Sequence, residues 1–277
     1  MVSPGAARAP RSAASPVHVL RAGPRGRATC RRKGCSFGLV ILAESLSPGW
    51  LPAGLRIYAI GDPHGCAARL AGLHGQIAAD VAARPVNEVL LVHLGDYVDR
   101  GPDSAGVLAL LRGACPVPGA WVVNLAGNHE QLMLAALDPR AEAEVVELWL
   151  DNGGGPTLES YGADPRDPGS WDAVPAADLG WLRGLPWQFA CGGYVFAHAG
   201  VRPDVPLDRQ DPMDLAWIRE PFLSWPGRLP AVVVHGHTPT RLPEVLDHRI
   251  GIDTGAVFGG KLSCAVLEEN RVGFLFG

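Results

Sequence analysis

Short apolar runs alternate with amphipathic segments from Leu55 onward, a pattern that predicts strands and helices following one another. The first three predicted strands, each followed closely by glycine and a polar residue, are Arg56–Ile60, Val89–Leu94 and Trp121–Leu125. Apolar positions recur every three or four residues in the predicted helices Ala67–Ala82, Ser104–Arg112 and Gln131–Leu137. This repeat is typical of a sheet that binds ligands at the carboxyl ends of its strands.

The later strands follow one another without helices between them, which favours a second sheet. They are predicted at Tyr194–Ala197, Ala231–Val234, Arg249–Ile252, Ser263–Leu267 and Val272–Phe276. The stretch from about 140 to 185 combines a predicted helix with a glycine- and proline-rich loop, and we expect it to form a small helical cap. The predicted fold class is therefore α/β (α+β), with a two-sheet β-sandwich core flanked by helices.

Residues 1–54 differ in composition from the rest, being rich in alanine, proline, arginine and serine. Eight basic residues and no acidic one lie within residues 1–43, although the whole chain has a net charge of −4. Such a segment buries little apolar surface, so we predict a basic, disordered tail over 1–54 and one folded domain over 55–277. The acidic domain argues against broad nucleic-acid binding.

Cysteine usage and hydropathy bear on the compartment. The six cysteines form no CxxC pair, which favours free thiols in a reducing compartment. No apolar run approaches the roughly 18 residues that a membrane span requires. We therefore predict a cytoplasmic protein without a membrane partner. The alternative is that Phe37–Ala43, behind its arginine-rich lead, is part of a secretory or twin-arginine signal.

Metal-binding side chains stand just after five of the predicted strands, namely Asp62, His64, Asp96, Asn128, His198 and His237. Carboxylates, imidazoles and amide oxygens suit Mn²⁺, Fe²⁺ or Zn²⁺. Residues i and i+2 of an extended segment share a face, so one ion is expected to take Asp62 and His64 together. The two oxygens of Asp96 can bridge to a second ion, whose shell Asn128, His198 and His237 complete.

The motifs GDPHG, GDYVDRG, GNHE and HGHTP, with the histidine of FAHAG, resemble the phosphoprotein phosphatase family of serine/threonine metallophosphatases. The likeness is closest to the bacterial and phage branch and covers roughly Leu55 to Phe276. It implies a calcineurin-like metallophosphoesterase fold and two divalent ions, with Mn²⁺ expected ahead of Fe or Zn. It also implies that His129 is the general acid, that Asp99 orients it, and that Arg100 and Arg219 clamp phosphoryl oxygens.

The expected chemistry is in-line attack on phosphorus by a hydroxide bridging two ions about 3.5–4 Å apart. His129 then protonates the departing alkoxide, while the arginines neutralise phosphoryl charge. The predicted function is serine/threonine protein phosphatase, acting on a phosphorylated protein or peptide. The alternatives are a symmetrical dinucleoside tetraphosphate hydrolase and a catalytically inactive metal-binding scaffold. Tryptophans such as Trp149 are expected to pack, although one in the cap could contact substrate.

Overall fold

The computed structural model describes residues 42–277, so most of the predicted tail lies outside the described residues. Eleven strands occur in this part of the chain: β1 Leu42–Leu46, β2 Leu55–Ile60, β3 Glu88–His93, β4 Trp121–Asn124, β5 Gln188–Cys191, β6 Tyr194–Ala197, β7 Val232–His235, β8 Glu244–Val245, β9 Arg249–Gly251, β10 Ser263–Glu268 and β11 Arg271–Phe276. The α-helices within 42–277 are α1 Ala67–Ala83, α2 Ser104–Arg112, α3 Asn128–Ala136, α4 Ala143–Trp149, α5 Gly155–Ser160, α6 Ala176–Arg183 and α7 Pro212–Trp217.

The described strands form two sheets. The first has the order β1-β11-β10-β2-β3-β4, in which β2, β3 and β4 run parallel. The second has the order β5-β6-β7-β9-β8, in which β6, β7 and β9 run parallel. Parallel neighbours end at the same edge of a sheet, so the loops that follow β2 and β3, and those that follow β6 and β7, lie side by side.

Side chains alternate between two faces along each strand, and both faces of each sheet are buried. In β2, Ile57 and Ala59 face the second sheet and pack in one cluster with Phe196 and Val234. The neighbouring residues of β2 pack instead against the helices α1, α2 and α3. The outer face of the second sheet is covered by α7 and the segment after it. The layers are therefore helix, sheet, sheet, helix, and the predicted two-sheet α/β class is confirmed.

The boundary of the predicted tail needs correction. Residues of β1 pair with β11 in antiparallel register, and Leu51 is buried in the cluster between the sheets. The hydroxyl of Ser47 also lies 2.6 Å from that of Tyr194 in the second sheet. The described part of the fold therefore includes residues from Leu42 onward, rather than beginning after Gly54. This edge strand was not predicted because its sequence, LAESL, shows no alternation of apolar and polar residues.

The stretch predicted as a cap is helical for most of its length. Helix α4 continues through a π-helical turn, Leu150–Gly154, into α5, and a 3₁₀ turn, Pro168–Ala173, precedes α6. Gly153 in the π-helical turn has a φ of 100°, a conformation that glycine adopts without steric cost. No helix among residues 42–277 is both long enough and apolar enough to cross a membrane.

Candidate metal centre and acid–base site

The carboxylate of Asp96 is the centre of the candidate site. Asp96 follows β3, has a left-handed backbone conformation with a φ of 53°, and is buried. Its Oδ2 lies 3.3 Å from Nε2 of His64, and its Oδ1 lies 3.3 Å from Nε2 of His198. One carboxylate thus faces an imidazole with each oxygen, as a bridging ligand between two ions does.

Two clusters of ligand atoms among the described residues share Asp96. One contains His64, Asp96 and His129, and the other contains Asp96, His198 and His237; within each, the ligand atoms lie within 4.8 Å of one another. Two centres that share Asp96 were also predicted from the strand ends. The first cluster differs from the predicted set, because it contains His129 and not Asp62.

Backbone carbonyls fix the orientation of the imidazoles. Nδ1 of His64 lies 2.8 Å from the carbonyl oxygen of Val98, and Nδ1 of His198 lies 2.9 Å from that of Leu94. Because Nδ1 donates its proton to the carbonyl in each case, Nε2 is the nitrogen that faces Asp96 and is available to a metal ion. Metal-binding histidines are commonly held by this kind of hydrogen bond.

Asn128 connects the two histidines of the second cluster. Its Oδ1 lies 2.9 Å from Nε2 of His198 and 2.9 Å from Nδ1 of His237. Asn128 is the first residue of α3, which begins three residues earlier than the predicted Gln131. The first helical turn therefore places the Asn128 amide among the imidazoles.

Asp62 and His64 do not lie on the extended segment that was expected. His64 has a φ of 37°, so this segment is not extended, and the prediction that it is extended was wrong. Oδ2 of Asp62 accepts a hydrogen bond of 2.7 Å from the backbone N–H of His237. Its Oδ1 is buried without a hydrogen-bond partner in the described part of the chain. A buried acceptor of this kind requires a cation or a donor, so Asp62 stays a predicted ligand.

Opposite charges are concentrated around Asp96. Burial by itself lowers the pKa of both His64 and His198, but the Asp96 carboxylate outweighs burial at both residues. The pKa of His64 is therefore raised, and that of His198 is raised to about 10. Burial raises the pKa of Asp96, yet the imidazoles of His198 and its neighbours hold it well below its usual range. Burial, with the nearby charge of Asp253, raises the pKa of Asp62 well above its usual range. Ions binding here would displace protons from these groups.

His129 and Asp99 form a buried pair beside this cluster. Nδ1 of His129 lies 2.8 Å from Oδ2 of Asp99, and both side chains are shielded from solvent. Nε2 of His129 has no hydrogen-bond partner within residues 42–277. A protonated His129 would therefore donate its Nδ1 proton to Asp99, and its Nε2 proton would remain available to a group that enters the site.

The two predicted phosphate clamps occupy different positions. Arg100 follows Asp99 with a φ of 69°; its Nη1 lies 2.7 Å from Nε2 of His64, and its Cζ lies 5.5 Å from the centre of the Phe258 ring. Arg219 is exposed and follows α7. Burial first, then the charge of His198 and, to a smaller extent, that of Arg219 lower the pKa of His237 to about 3. The guanidinium of Arg100 therefore contacts a residue of the first cluster, whereas Arg219 is near enough to His237 to influence its pKa.

Glu130 is a further residue of the site that was not predicted. Its Oε2 accepts from the backbone N–H groups of Asp96 and Gly127, at 2.8 Å each. Its Oε1 accepts from the N–H groups of Tyr97 at 2.7 Å and Val98 at 3.3 Å. Burial and the charge of Asp96 raise the pKa of Glu130 to about 7. All four partners are donors, so the side chain acts as a carboxylate that joins the Asp96 loop to the start of α3.

The sequence of this chain assigns it to a known protein family. The sequence model of the calcineurin-like phosphoesterase family matches residues 55–277. The chain belongs to this family. The match covers most of the chain and includes every ligand-type residue described above. The described geometry is thus that of a calcineurin-like phosphoesterase, a class of metal-dependent phosphoester hydrolases.

Relatives with different names are similar to this calcineurin-like phosphoesterase. Serine/threonine-protein phosphatase 1 of Salmonella typhimurium is 34% identical over 221 residues, which cover 76% of this chain and 92% of the relative. The asymmetrical bis(5'-nucleosyl)-tetraphosphatase of Bacillus subtilis is 29% identical over 233 residues, which cover 74% of this chain and 87% of the relative. The resemblance to the bacterial phosphoprotein phosphatases is confirmed, and the relatives leave the substrate open.

One crystal structure shows the same fold at low identity. A cold-active protein-tyrosine phosphatase of a psychrophilic Shewanella superposes with a TM-score of 0.52 and 17% identity, covering 81% of this chain and 80% of that one.

The residues present fit two divalent ions. The donor set is composed of carboxylate, imidazole and amide groups, Asp96 offers one oxygen to each cluster, and two imidazoles are held with Nε2 facing inward. A buried Asp62 oxygen without a described partner is the acceptor that a cation would satisfy.

Proposed function

We propose that this protein is a serine/threonine protein phosphatase that hydrolyses phosphomonoesters on a protein or peptide. The observation that carries the proposal is the buried His129–Asp99 pair: Nε2 of His129 has no described hydrogen-bond partner, and His129 clusters with His64 and Asp96. A serine or threonine alkoxide is a poor leaving group and needs a proton, so a positioned acid is of most use with such substrates.

Asp62, His64 and Asp96 would hold one divalent ion, and Asp96, Asn128, His198 and His237 would hold another, with Mn²⁺ as the proposed metal. When bound, such ions lower the pKa of coordinated water and neutralise phosphoryl charge. The Arg100 and Arg219 guanidinium groups would bind the remaining phosphoryl oxygens, because a planar fork can meet two oxygens at once. His129 would deliver its Nε2 proton to the departing oxygen.

A second candidate is hydrolysis of dinucleoside tetraphosphates, favoured by relatives named as tetraphosphatases. The phosphatase proposal is supported by the higher identity of the Salmonella relative. It is also supported by the chemistry of the leaving group, since a nucleotide departs through a weakly basic phosphate oxygen and gains less from a positioned acid. The proposed substrate is therefore a phosphoprotein rather than nucleic acid or a membrane component.

The test compares kcat/KM for a phosphoserine peptide and for diadenosine tetraphosphate on the same Mn²⁺-loaded preparation. The proposal predicts a higher kcat/KM for the peptide, and a loss of about 100-fold or more on the peptide in His129→Asn. A preference for the tetraphosphate would assign the second candidate. The absence of turnover on both substrates and on p-nitrophenyl phosphate would indicate the metal-binding scaffold.

A further inference from the structure

Asp99 is surrounded by hydrogen-bond donors from the helical stretch above the site. Nε1 of Trp149 lies 3.0 Å from Oδ1 and 3.1 Å from Oδ2 of Asp99, and the hydroxyl of Thr157 donates to Oδ1 at 2.8 Å. The backbone N–H of Asp99 in turn donates to the Thr157 hydroxyl at 2.8 Å. His129 binds Oδ2. Among the described residues, the side-chain donors to Asp99 are therefore His129, Trp149 and Thr157.

Both donors belong to the segment Trp149–Thr157, in which Trp149 ends α4 and Thr157 lies in α5. The same segment also holds the neighbouring arginine, because the backbone N–H of Arg100 donates to the carbonyl oxygen of Gly153 at 2.9 Å. A Cβ on Gly153 would lie 2.9 Å from the backbone nitrogen of Arg100, so only glycine permits this approach. Three residues of one segment thus contact two consecutive residues of the site.

Asp99 and Arg100 need such support because both have left-handed backbone conformations, with φ of 71° and 69°. Residues other than glycine keep these conformations where the surrounding structure determines them, and such residues cluster at functional sites. A tryptophan that served only to fill the core would need some acceptor for its indole N–H. That requirement does not explain why the acceptor is the carboxylate that holds His129, nor why Thr157 meets the same oxygen.

We propose that Trp149 and Thr157 are positioning residues for the acid, which fix the rotation of the Asp99 carboxylate so that Oδ2 faces His129. This inference rests on the proposed role of His129 as the general acid. Loss of either donor lets the carboxylate turn, and the imidazole then holds its Nε2 proton less well aligned with the departing oxygen. The loss is therefore largest for leaving groups that need the proton.

The experiment measures kcat/KM for a phosphoserine peptide and for p-nitrophenyl phosphate, whose phenolate leaves without help from an acid. Trp149→Phe and Thr157→Val are expected to lose about 10- to 100-fold on the peptide and less than about 3-fold on the aryl ester. Thr157→Ser keeps the hydroxyl and is expected to retain most of the peptide activity. Trp171→Phe is the matched control, because Trp171 packs edge-on to Trp149 but donates to the carbonyl of Asp164.

Equal losses on both substrates in Trp149→Phe and Thr157→Val would overturn the inference, because a general structural defect affects both. If Trp149→Phe does not fold, as judged by circular dichroism, the comparison of Thr157→Val with Thr157→Ser decides alone. His129→Asn distinguishes a failure of the positioning role from a failure of the acid role. A leaving-group-dependent loss in His129→Asn without one in the Trp149 and Thr157 variants refutes only the positioning role. No such loss in His129→Asn refutes the acid itself.

Discussion

Replacing Glu130 with glutamine tests whether the ligand loops depend on one buried negative charge. Each carboxylate oxygen of Glu130 accepts from two backbone N–H groups, one pair containing Asp96 and the other containing Tyr97. Glutamine preserves the shape of the side chain but has only one acceptor oxygen. Whichever way its amide turns, the NH₂ group faces two N–H donors, and these donors lose their acceptor.

The magnitude follows from the two orphaned donors. A buried N–H group left without a partner costs about 1–3 kcal/mol, so Glu130→Gln is expected to lower the free energy of unfolding by about 2–6 kcal/mol. The same change loosens the Asp96 loop, and a loss of this kind of support for a ligand typically weakens metal binding by about 10- to 100-fold. Glutamine is therefore expected to be nearly as damaging as alanine.

Urea unfolding and calorimetric Mn²⁺ titration, both at pH 8, measure these two effects. Glu144→Gln is the matched control: it changes the net charge equally on the exposed first turn of α4, and we expect its effect on unfolding to stay within about 0.5 kcal/mol. A Glu130→Gln protein within about 1 kcal/mol of wild type, with unchanged Mn²⁺ affinity, would refute the role assigned to the charge.

Three further predictions concern a buried ion pair, the boundary of the folded part and Arg219. Burial raises the pKa of Asp80, but the hydrogen bonds from Arg84 outweigh burial and lower it. The ionised carboxylate therefore stabilises the fold above its unfolded pKa of about 3.9, and this contribution is lost as the pH falls through the folded pKa. Asp80→Asn should therefore cost about 3 kcal/mol at pH 7, and less below pH 4, in urea unfolding. A chain beginning at Leu55 lacks β1 and the buried Leu51, and thermal unfolding should show it to be about 2–4 kcal/mol less stable than one beginning at residue 42; equal stability would contradict the corrected boundary. Arg219→Ala should lower kcat/KM about 10-fold or more and leave unfolding within about 0.5 kcal/mol, because the side chain is exposed.

Elements with a strong apolar period were predictable to within a residue or two. The predicted α2 and β6 have the observed ends, since a regular apolar pattern and a following glycine or polar residue define them. Strands β1 and β8 lie at sheet edges, and β8 has only two residues. Such strands lack the continuous apolar run that marks a buried strand, so no local pattern indicated them.

The ligand-type residues of the site could be predicted because strand ends bring them together, whereas their supports could not. Trp149 and Asp99 are 50 positions apart, and their hydrogen bond depends on how α4 packs rather than on any local spacing. The conformation of His64 was mispredicted because Asp-x-His was treated as extended. In the structure His64 and Gly65 both have positive φ, at the point where the chain packs closely against the backbone of Gly101. The GNHE motif contained a signal for Glu130, since an acidic residue among backbone N–H groups at a helix start is a common cap.

The number of ions bound per chain tests the central claim of a shared Asp96 carboxylate most directly. The measurement is elemental analysis of the purified protein after equilibration with Mn²⁺ and removal of unbound ions, performed on wild type and on Asp96→Asn, with p-nitrophenyl phosphate turnover recorded on the same samples. The account predicts two ions for wild type. For Asp96→Asn it predicts the loss of at least one ion together with turnover, because an amide offers only one oxygen ligand. Full turnover of wild type with a single ion, or two tightly held ions in Asp96→Asn, would contradict it.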